Sequence, residues 1–194
     1  MIPVDRAAKA LIFDCDGTLV DSMPTHMDAW RQAFARFGTK FEEEFVSSRR
    51  GMKETEIVKE YNQSFGKSLD PDEIVKIKHE LFLIHLDKLK PIQPVVDIAR
   101  ANHGKLPLAV VSGGASKVVC SELSAIGILE LFDVILTAAD PYKPKPDPEI
   151  FLAASRLLNV SPECCLVFED GTAGLEGARN AGMKTVDVRE YLRV

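Results

Sequence analysis

At 194 residues the chain is long for one minimal domain and short for two ordinary ones, so one core carrying a sizeable insertion fits best. A hydrophobic fraction of 46% with 27% charged residues excludes intrinsic disorder, and a formal net charge of -5 supplies no basic field for nucleic acid. No apolar run reaches the length of a membrane span, and the opening MIPVDRAAKA lacks the apolar segment of a signal peptide, so a cytoplasmic protein without a membrane partner is expected.

Residues 11–13 form a short apolar run of strand type that stops at Asp14, Asp16, Gly17 and Thr18. Alternate residues of an extended chain point the same way, so Asp14 and Asp16 are expected to face one substrate group while Cys15 packs into the core. The bland account is a pair of turn-forming aspartates ahead of a glycine. The four cysteines, Cys15, Cys120, Cys164 and Cys165, show no CxxC spacing, which argues against a zinc ribbon or a thioredoxin-like site and for reduced thiols.

Helical spacing follows. Residues 21–37 carry Met27, Trp30, Ala33, Phe34 and Phe37 on one stripe, with Pro24 at the entry and Gly38 at the end. Further helices are expected over 41–48, over 53–65 with Gly66 as the stop, and from Asp70-Pro71 to 89 with Ile74, Ile77, Leu81, Ile84 and Leu86 as the apolar set. Four helices without an intervening strand imply a separate small domain at 21–93, left through Pro91 and Pro94 and suited to covering a site. The core is then 1–20 with 94–194.

From residue 95 the pattern alternates. Helices at 95–102, 115–126, 148–158 and 172–181 are separated by strands LAVVS, VILT, CLVFED and TVDV. That is the grammar of an α/β fold, a mostly parallel sheet with helices on both faces. No heptad seam appears, so a monomer is expected.

Three polar groups fall at the ends of those strands, where ligands of open α/β sheets bind. Ser112-Gly113-Gly114 offers a hydroxyl and glycine-permitted N–H groups that can hold phosphate oxygens, although it is equally an ordinary turn. The loop DPYKPKPDP carries Lys143 and Lys145, with prolines on both sides of Lys145 restricting where its ammonium can go. Phe168-Glu169-Asp170-Gly171 again runs from apolar strand to acids to glycine; a capped helix start is the simpler reading. Together with Asp14 and Asp16, however, Glu169 and Asp170 make an oxygen-only set of the kind that suits Mg²⁺.

These motifs, in this order, resemble the haloacid dehalogenase-like hydrolase superfamily, whose commonest members are phosphatases. The DxDGT run after an apolar strand resembles its first motif, Ser112-Gly113-Gly114 its second, Lys145-Pro146-Asp147-Pro148 through Phe151 its third, and VFEDGTAGLEGARNAGMKTVDV its fourth. Lys145 is preferred to Lys143 because only Lys145 has the right distance to the phenylalanine. The resemblance covers essentially the whole chain and implies a Rossmann-like core. The helical insertion directly after the first motif matches the subgroup with a four-helix cap, which includes β-phosphoglucomutase and sugar phosphatases.

The resemblance implies that Asp14 attacks phosphorus and becomes an aspartyl-phosphate, while Asp16 protonates the leaving alcohol and later takes a proton from water. Mg²⁺ is implied at Asp14, the main-chain carbonyl of Asp16, and Asp170, with Glu169 assisting directly or through water. Ser112 and Lys145 would bind the transferring phosphoryl oxygens, with Gly113 and Gly114 beside them. His26 and Trp30 stand where sugar-phosphate members carry a His and a Trp. The expected partner is a small phosphorylated metabolite, a sugar phosphate foremost.

The nearest rival is a sugar phosphomutase, which needs a cationic site in the cap for the second phosphate. In β-phosphoglucomutase an arginine follows a Gly-x-Ser turn, whereas this chain reads Gly51-Met52-Lys53-Glu54. Arg49, Arg50 and Lys53 are the candidates to stand in for it, and Lys53 is included among the substrate-binding residues. A phospho-receiver signalling domain shares the ingredients, an acidic cluster with a hydroxyl and a lysine, but lacks a helical insertion.

Overall fold

The computed structural model describes residues 2–49 and 52–192. Arg50 and Gly51, named above for the cap turn, lie outside the described residues. The chain forms two compact units, Met1–Asp21 together with Lys90–Val194, and Ser22–Leu89. The second junction falls between Leu89 and Lys90, ahead of the expected 93–94.

The first unit is α/β. Its strands are β1 (Ala10–Phe13), β2 (Val20–Asp21), β3 (Lys90–Pro91), β4 (Leu108–Val111), β5 (Val134–Leu136), β6 (Cys165–Glu169) and β7 (Lys184–Asp187). Five of them form a parallel sheet in the order β5-β4-β1-β6-β7. Every residue of β1, β4 and β6 is buried, which is why β1 and β4 read as unbroken apolar runs and β6 as one up to Glu169. Ala10 and Ile12 join the core cluster built with Ala109, Val111, Val167, Phe151 and Ala178. Leu11 and Phe13 alternate to the other face, where the Phe13 ring stacks on its register partner Phe168 at 4.9 Å. Each such buried side chain contributes about 1.5 to 3 kcal/mol.

The topology positions the functional end of the sheet. From β1 the chain proceeds to β4 and β5 on one side, then returns to lay β6 against the opposite edge of β1 and continues to β7. The strand order therefore reverses between β1 and β6, and their carboxyl ends flank the crevice where α/β sheets bind ligands. The in-register pairing of Phe13 with Phe168 places Asp14 beside Glu169, and the Asp14 N–H donates to the Phe168 carbonyl at 3.0 Å.

The second unit holds α1 (Met23–Arg36), α2 (Glu43–Ser47), α3 (Glu54–Phe65) and α4 (Pro71–Leu83). Its core is aromatic: Phe34 meets Phe41 and Tyr61, and Phe45 and Phe65 pack on Tyr61. Gly66 ends α3 at φ 61°, a left-handed cap conformation that glycine adopts without steric cost. Asp70 caps α4 by accepting the N–H groups of Asp72 and Glu73 at 2.9 and 3.2 Å, ahead of Pro71. The expected continuation of α4 to residue 89 does not occur; the helix stops at Leu83 and a short 3-10 turn covers Leu86–Lys88. The reason lies in the face. Buried positions on α4 are Ile74, Lys78, Leu81 and Phe82, while Ile84 is 67% exposed, so its apolar side chain could not extend the packed stripe.

The remaining helices belong to the α/β unit: α5 (Gln93–Asn102), α6 (Ser116–Ala125), α7 (Glu149–Leu157), α8 (Thr172–Asn180) and α9 (Arg189–Leu192). Pro94 sits in the first turn of α5, where a missing N–H costs nothing, instead of marking a linker. The two-residue ribbon in which β2 pairs antiparallel with β3 was not foreseen, nor was α9. Segments this short carry too little periodicity to be read. Among the described residues no helix is long and apolar enough to cross a membrane.

Candidate active site

The site begins where β1 ends. Beyond Phe13 the chain turns at once: Leu19 and Val20 N–H groups both return to the Cys15 carbonyl, at 2.9 and 3.0 Å, and the Gly17 N–H reaches the Val20 carbonyl at 2.8 Å. Gly17 adopts φ 84° in this turn, and a Cβ there would fall 2.4 Å from Asp170 Oδ2, so glycine is required twice over. Thr18, completely buried, donates its hydroxyl to Asp170 Oδ1 at 2.9 Å. One tight turn thus presents Asp14 and seats Asp170 from the neighbouring strand.

Carboxylate oxygens of Asp14, Glu169 and Asp170 lie within 4.8 Å of one another. Lys145 reaches into this trio, its Nζ 2.7 Å from both Asp14 Oδ1 and Glu169 Oε2. Glu169 Oε1 in turn accepts the N–H groups of Gly171 and Asp170 at 2.8 and 3.2 Å, the free donors at the start of α8. Burial, then the charges of Glu169 and Asp170, push the Asp14 carboxyl well above its ordinary value despite Lys145. Burial and Glu169 likewise raise Asp170. Burial works against the Lys145 charge, but Asp14 and Glu169 outweigh it and raise that group's pKa. The ammonium is accordingly a permanent cation.

The Asp16 carboxylate lies outside the trio. A Cβ placed on Gly114 would sit 3.6 Å from Asp16 Oδ2 and 3.3 Å from Ser112 Oγ, so Asp16 is on the side of the Ser112-Gly113-Gly114 turn. Asp14 thus meets the acids at the end of β6, and Asp16 the turn at the end of β4, on the two sides of β1. Ser112 is buried and its Oγ accepts the Gly114 N–H at 3.0 Å. Gly114 has a steric reason, since a Cβ would meet Val119 Cγ2 at 2.9 Å; exposed Gly113 has open space around it. Cys15 is fully buried, donates to Glu122 Oε2 at 3.5 Å and has its thiol pKa pushed up by burial, Asp16 and Glu122, the marks of a core thiol and not a nucleophile.

Three expected site residues belong to the helical unit and are placed there by its own packing. His26 is buried on α1 with its ring stacked 4.0 Å from that of Phe82. Lys53 is exposed at the N-cap position of α3. Arg49 is engaged, bonded to Glu60 at 2.8 Å with its guanidinium 3.5 Å from the Phe45 ring centroid. Sequence reasoning missed a charged group here altogether. Lys78, 2% exposed, donates to Glu54 Oε1 at 2.6 Å, and His79 bonds the other Glu54 oxygen. Burial works to raise Glu54, yet Lys78 and His79 hold it down at about 2. The available signal was the spacing of Lys78 between Ile74 and Leu81, a lysine on the apolar stripe.

A cluster of three carboxylates, two buried and Asp170 half-buried, held by a single ammonium carries unbalanced like charge, and oxygen donors alone suit a hard cation. Burial first, and the neighbouring acids after it, raise Asp14 and Asp170, and a divalent metal would relieve both effects. The donor set therefore fits a divalent metal.

The sequence model of a family described as haloacid dehalogenase-like hydrolase matches residues 11–188. The chain belongs to that family. Fructose-1-phosphate phosphatase YqaB of Escherichia coli (strain K12) is 34% identical to this hydrolase over 180 residues, 92% of this chain and 95% of the relative. Beta-phosphoglucomutase of Bacillus subtilis (strain 168) is 30% identical over 192 residues, 93% and 83% of the two chains. CbbY from Rhodobacter sphaeroides, solved in complex with phosphate, superposes with a TM-score of 0.81 at 25% identity, covering 92% of this chain and 84% of its own. The expected α/β fold and the expectation of a phosphoric monoester hydrolase of this family are both borne out. A phospho-receiver domain is displaced as an alternative by the family match over residues 11–188.

Proposed function

We propose that this haloacid dehalogenase-like hydrolase is a Mg²⁺-dependent phosphatase acting on a small phosphate monoester, a sugar phosphate, through an aspartyl-phosphate at Asp14. The observation that carries the reading is the 2.7 Å contact of the Lys145 ammonium with buried Asp14, inside a trio of carboxylates at the junction of β1 and β6. The sugar-phosphate substrate is supported by relatives named for such activities.

An oxygen of Asp14 attacks phosphorus, and the bond to the ester oxygen breaks in line with it. Asp16 gives its proton to the departing alcohol, then takes one from the water that attacks phosphorus of the Asp14 acyl phosphate, freeing the carboxylate and releasing inorganic phosphate. The Ser112 hydroxyl and Lys145 ammonium hold the transferring phosphoryl oxygens; losing one such donor costs about a hundredfold to a thousandfold in rate. Asp14, Asp170 and the main-chain carbonyl of Asp16 would hold Mg²⁺, with Glu169 beside them. Bound there, Mg²⁺ supplies charge that lessens repulsion between carboxylate and phosphate. Substrate choice falls to the Ser22–Leu89 unit, the cap in this reading.

The phosphomutase alternative is favoured by one relative, the Beta-phosphoglucomutase of Bacillus subtilis (strain 168). Against it, Arg49 is bonded to Glu60, and Glu54 carries a negative charge where that enzyme class needs a cation. The test is a panel of phosphorylated sugars and short-chain acids assayed with and without Mg²⁺, scoring inorganic phosphate against isomerised sugar phosphate. Release of phosphate from a hexose phosphate supports hydrolysis, isomer without phosphate supports the mutase, and turnover of no ester refutes both.

A further inference from the structure

Glu169, 3% exposed, lies along the first turns of α8. Its carboxylate is fixed at both oxygens, Oε1 by the Gly171 and Asp170 N–H groups and Oε2 by Lys145. The side chain can take this path because α8 has no side chain at position 174. A Cβ on Gly174 would stand 1.9 Å from Glu169 Oε2, 2.2 Å from Cδ and 2.7 Å from Cγ. Alanine there forces the Oε2 separation from 1.9 Å to at least the 3.0 Å that real Cβ atoms observe. Gly174 is absent from the positive-φ glycines, so its backbone is an ordinary helical one that any residue adopts. Glycine inside a helix is disfavoured against alanine, so space and not conformation accounts for it.

The same helix receives the lysine loop one turn later. A Cβ on Gly177 would meet the Pro146 carbonyl oxygen and Phe151 Cε2, each at 3.1 Å, and Pro146 follows Lys145 directly. Glu169 and the loop that carries Lys145 thus both lie against α8 where it is bare, at two positions one turn apart.

We infer that Gly174 is a positioning residue for the hydrolysis: its missing side chain makes the notch that aims Glu169 Oε2 at Lys145, which in turn holds that ammonium on Asp14. The inference rests on the proposed roles of Asp14 and Lys145. Any substituent at 174 turns the Glu169 carboxylate out of the notch, and Lys145 loses one of its two anchors. A displacement on this scale at a catalytic constellation costs about a hundredfold in rate.

The experiment compares wild type, Gly174→Ala, Glu169→Asp and the double variant, by kcat and KM for the best ester of the panel, by calorimetric Mg²⁺ titration, and by thermal unfolding. Gly174→Ala is expected to lower kcat by about a hundredfold with little change in KM, and to weaken Mg²⁺ binding. Glu169→Asp draws the carboxylate back by one methylene, so the conflict with the new Cβ eases from 1.9 Å at Oε2 to 2.7 Å at Cγ, which a small shift then relieves. The double variant is therefore expected to exceed Gly174→Ala in kcat and in Mg²⁺ affinity, although Glu169→Asp alone is harmful. A Gly174→Ala protein that fails to fold while the double variant folds carries the same meaning. Near-normal kcat and Mg²⁺ affinity in Gly174→Ala, additive losses in the double variant, or failure of both to fold would overturn the inference. If the wild type hydrolyses no ester, the functional reading fails by itself, and the Mg²⁺ titrations still decide the notch.

Discussion

Replacing Lys145 by methionine keeps most of the side chain's length and removes the charge that Asp14 and Glu169 share. The three side chains are 11%, 10% and 4% exposed, so water screens their interaction little. Taking one partner out of a buried ion pair costs about 3 to 5 kcal/mol. The lower end applies here, because Asp14 already sits well above the usual carboxylate range and can take up a proton instead of remaining an unpaired charge. The sign with pH follows from that. A carboxyl whose folded pKa is raised contributes stability below its unfolded value and loses it as pH rises through the folded one. The deficit of Lys145→Met is therefore largest at neutral pH and shrinks towards pH 4, where protons replace the ammonium. In urea, with metal chelated, a loss of about 3 kcal/mol lowers the unfolding midpoint by about 1 M or more at pH 7. Turnover should fall by about a hundredfold to a thousandfold. An unchanged midpoint at pH 7 together with near-normal turnover would refute the placement of this ammonium among the acids.

Asp14→Asn is expected to abolish phosphate release while leaving the circular dichroism spectrum unchanged; substantial residual turnover would remove Asp14 from the nucleophile's role. Chelation should stop turnover and lower the thermal midpoint, and Mg²⁺ at a hundred times its dissociation constant should restore about 2.7 kcal/mol; equal midpoints with and without Mg²⁺ would argue against a metal in the trio. In the helical unit, Glu54 is held at about 2 by Lys78 and His79 with 29% of its side chain exposed. Against its ordinary 4.5 this is worth at most about 3 kcal/mol, present above pH 4.5 and lost as pH falls through about 2. The stability gap between wild type and Glu54→Gln, measured by urea unfolding, should therefore narrow between pH 5 and pH 2, and a gap independent of pH would show that the ionised carboxylate contributes nothing.

Much of this protein is legible without coordinates, because its signals are local. Unbroken apolar strands such as Ala10–Phe13 and Leu108–Val111 identify a doubly covered parallel sheet, Gly66 and Asp70-Pro71 mark helix ends through their own backbone preferences, and the acids, hydroxyl and lysine fall at strand ends in family order. What only the fold decided is distance between residues far apart in the chain. Strand reversal between β1 and β6 brings Asp14 to Glu169, and the loop after β5 lays Lys145 between them. The fold also set the Asp16 carboxylate beside the Ser112-Gly113-Gly114 turn and outside that trio. Lys78 was hidden for a similar reason: its charge reads as solvent-facing until Glu54, on another helix, supplies the partner that makes burial affordable. A sequence reports what each residue prefers, whereas the pairing of buried charges depends on which preferences the packed chain satisfies together.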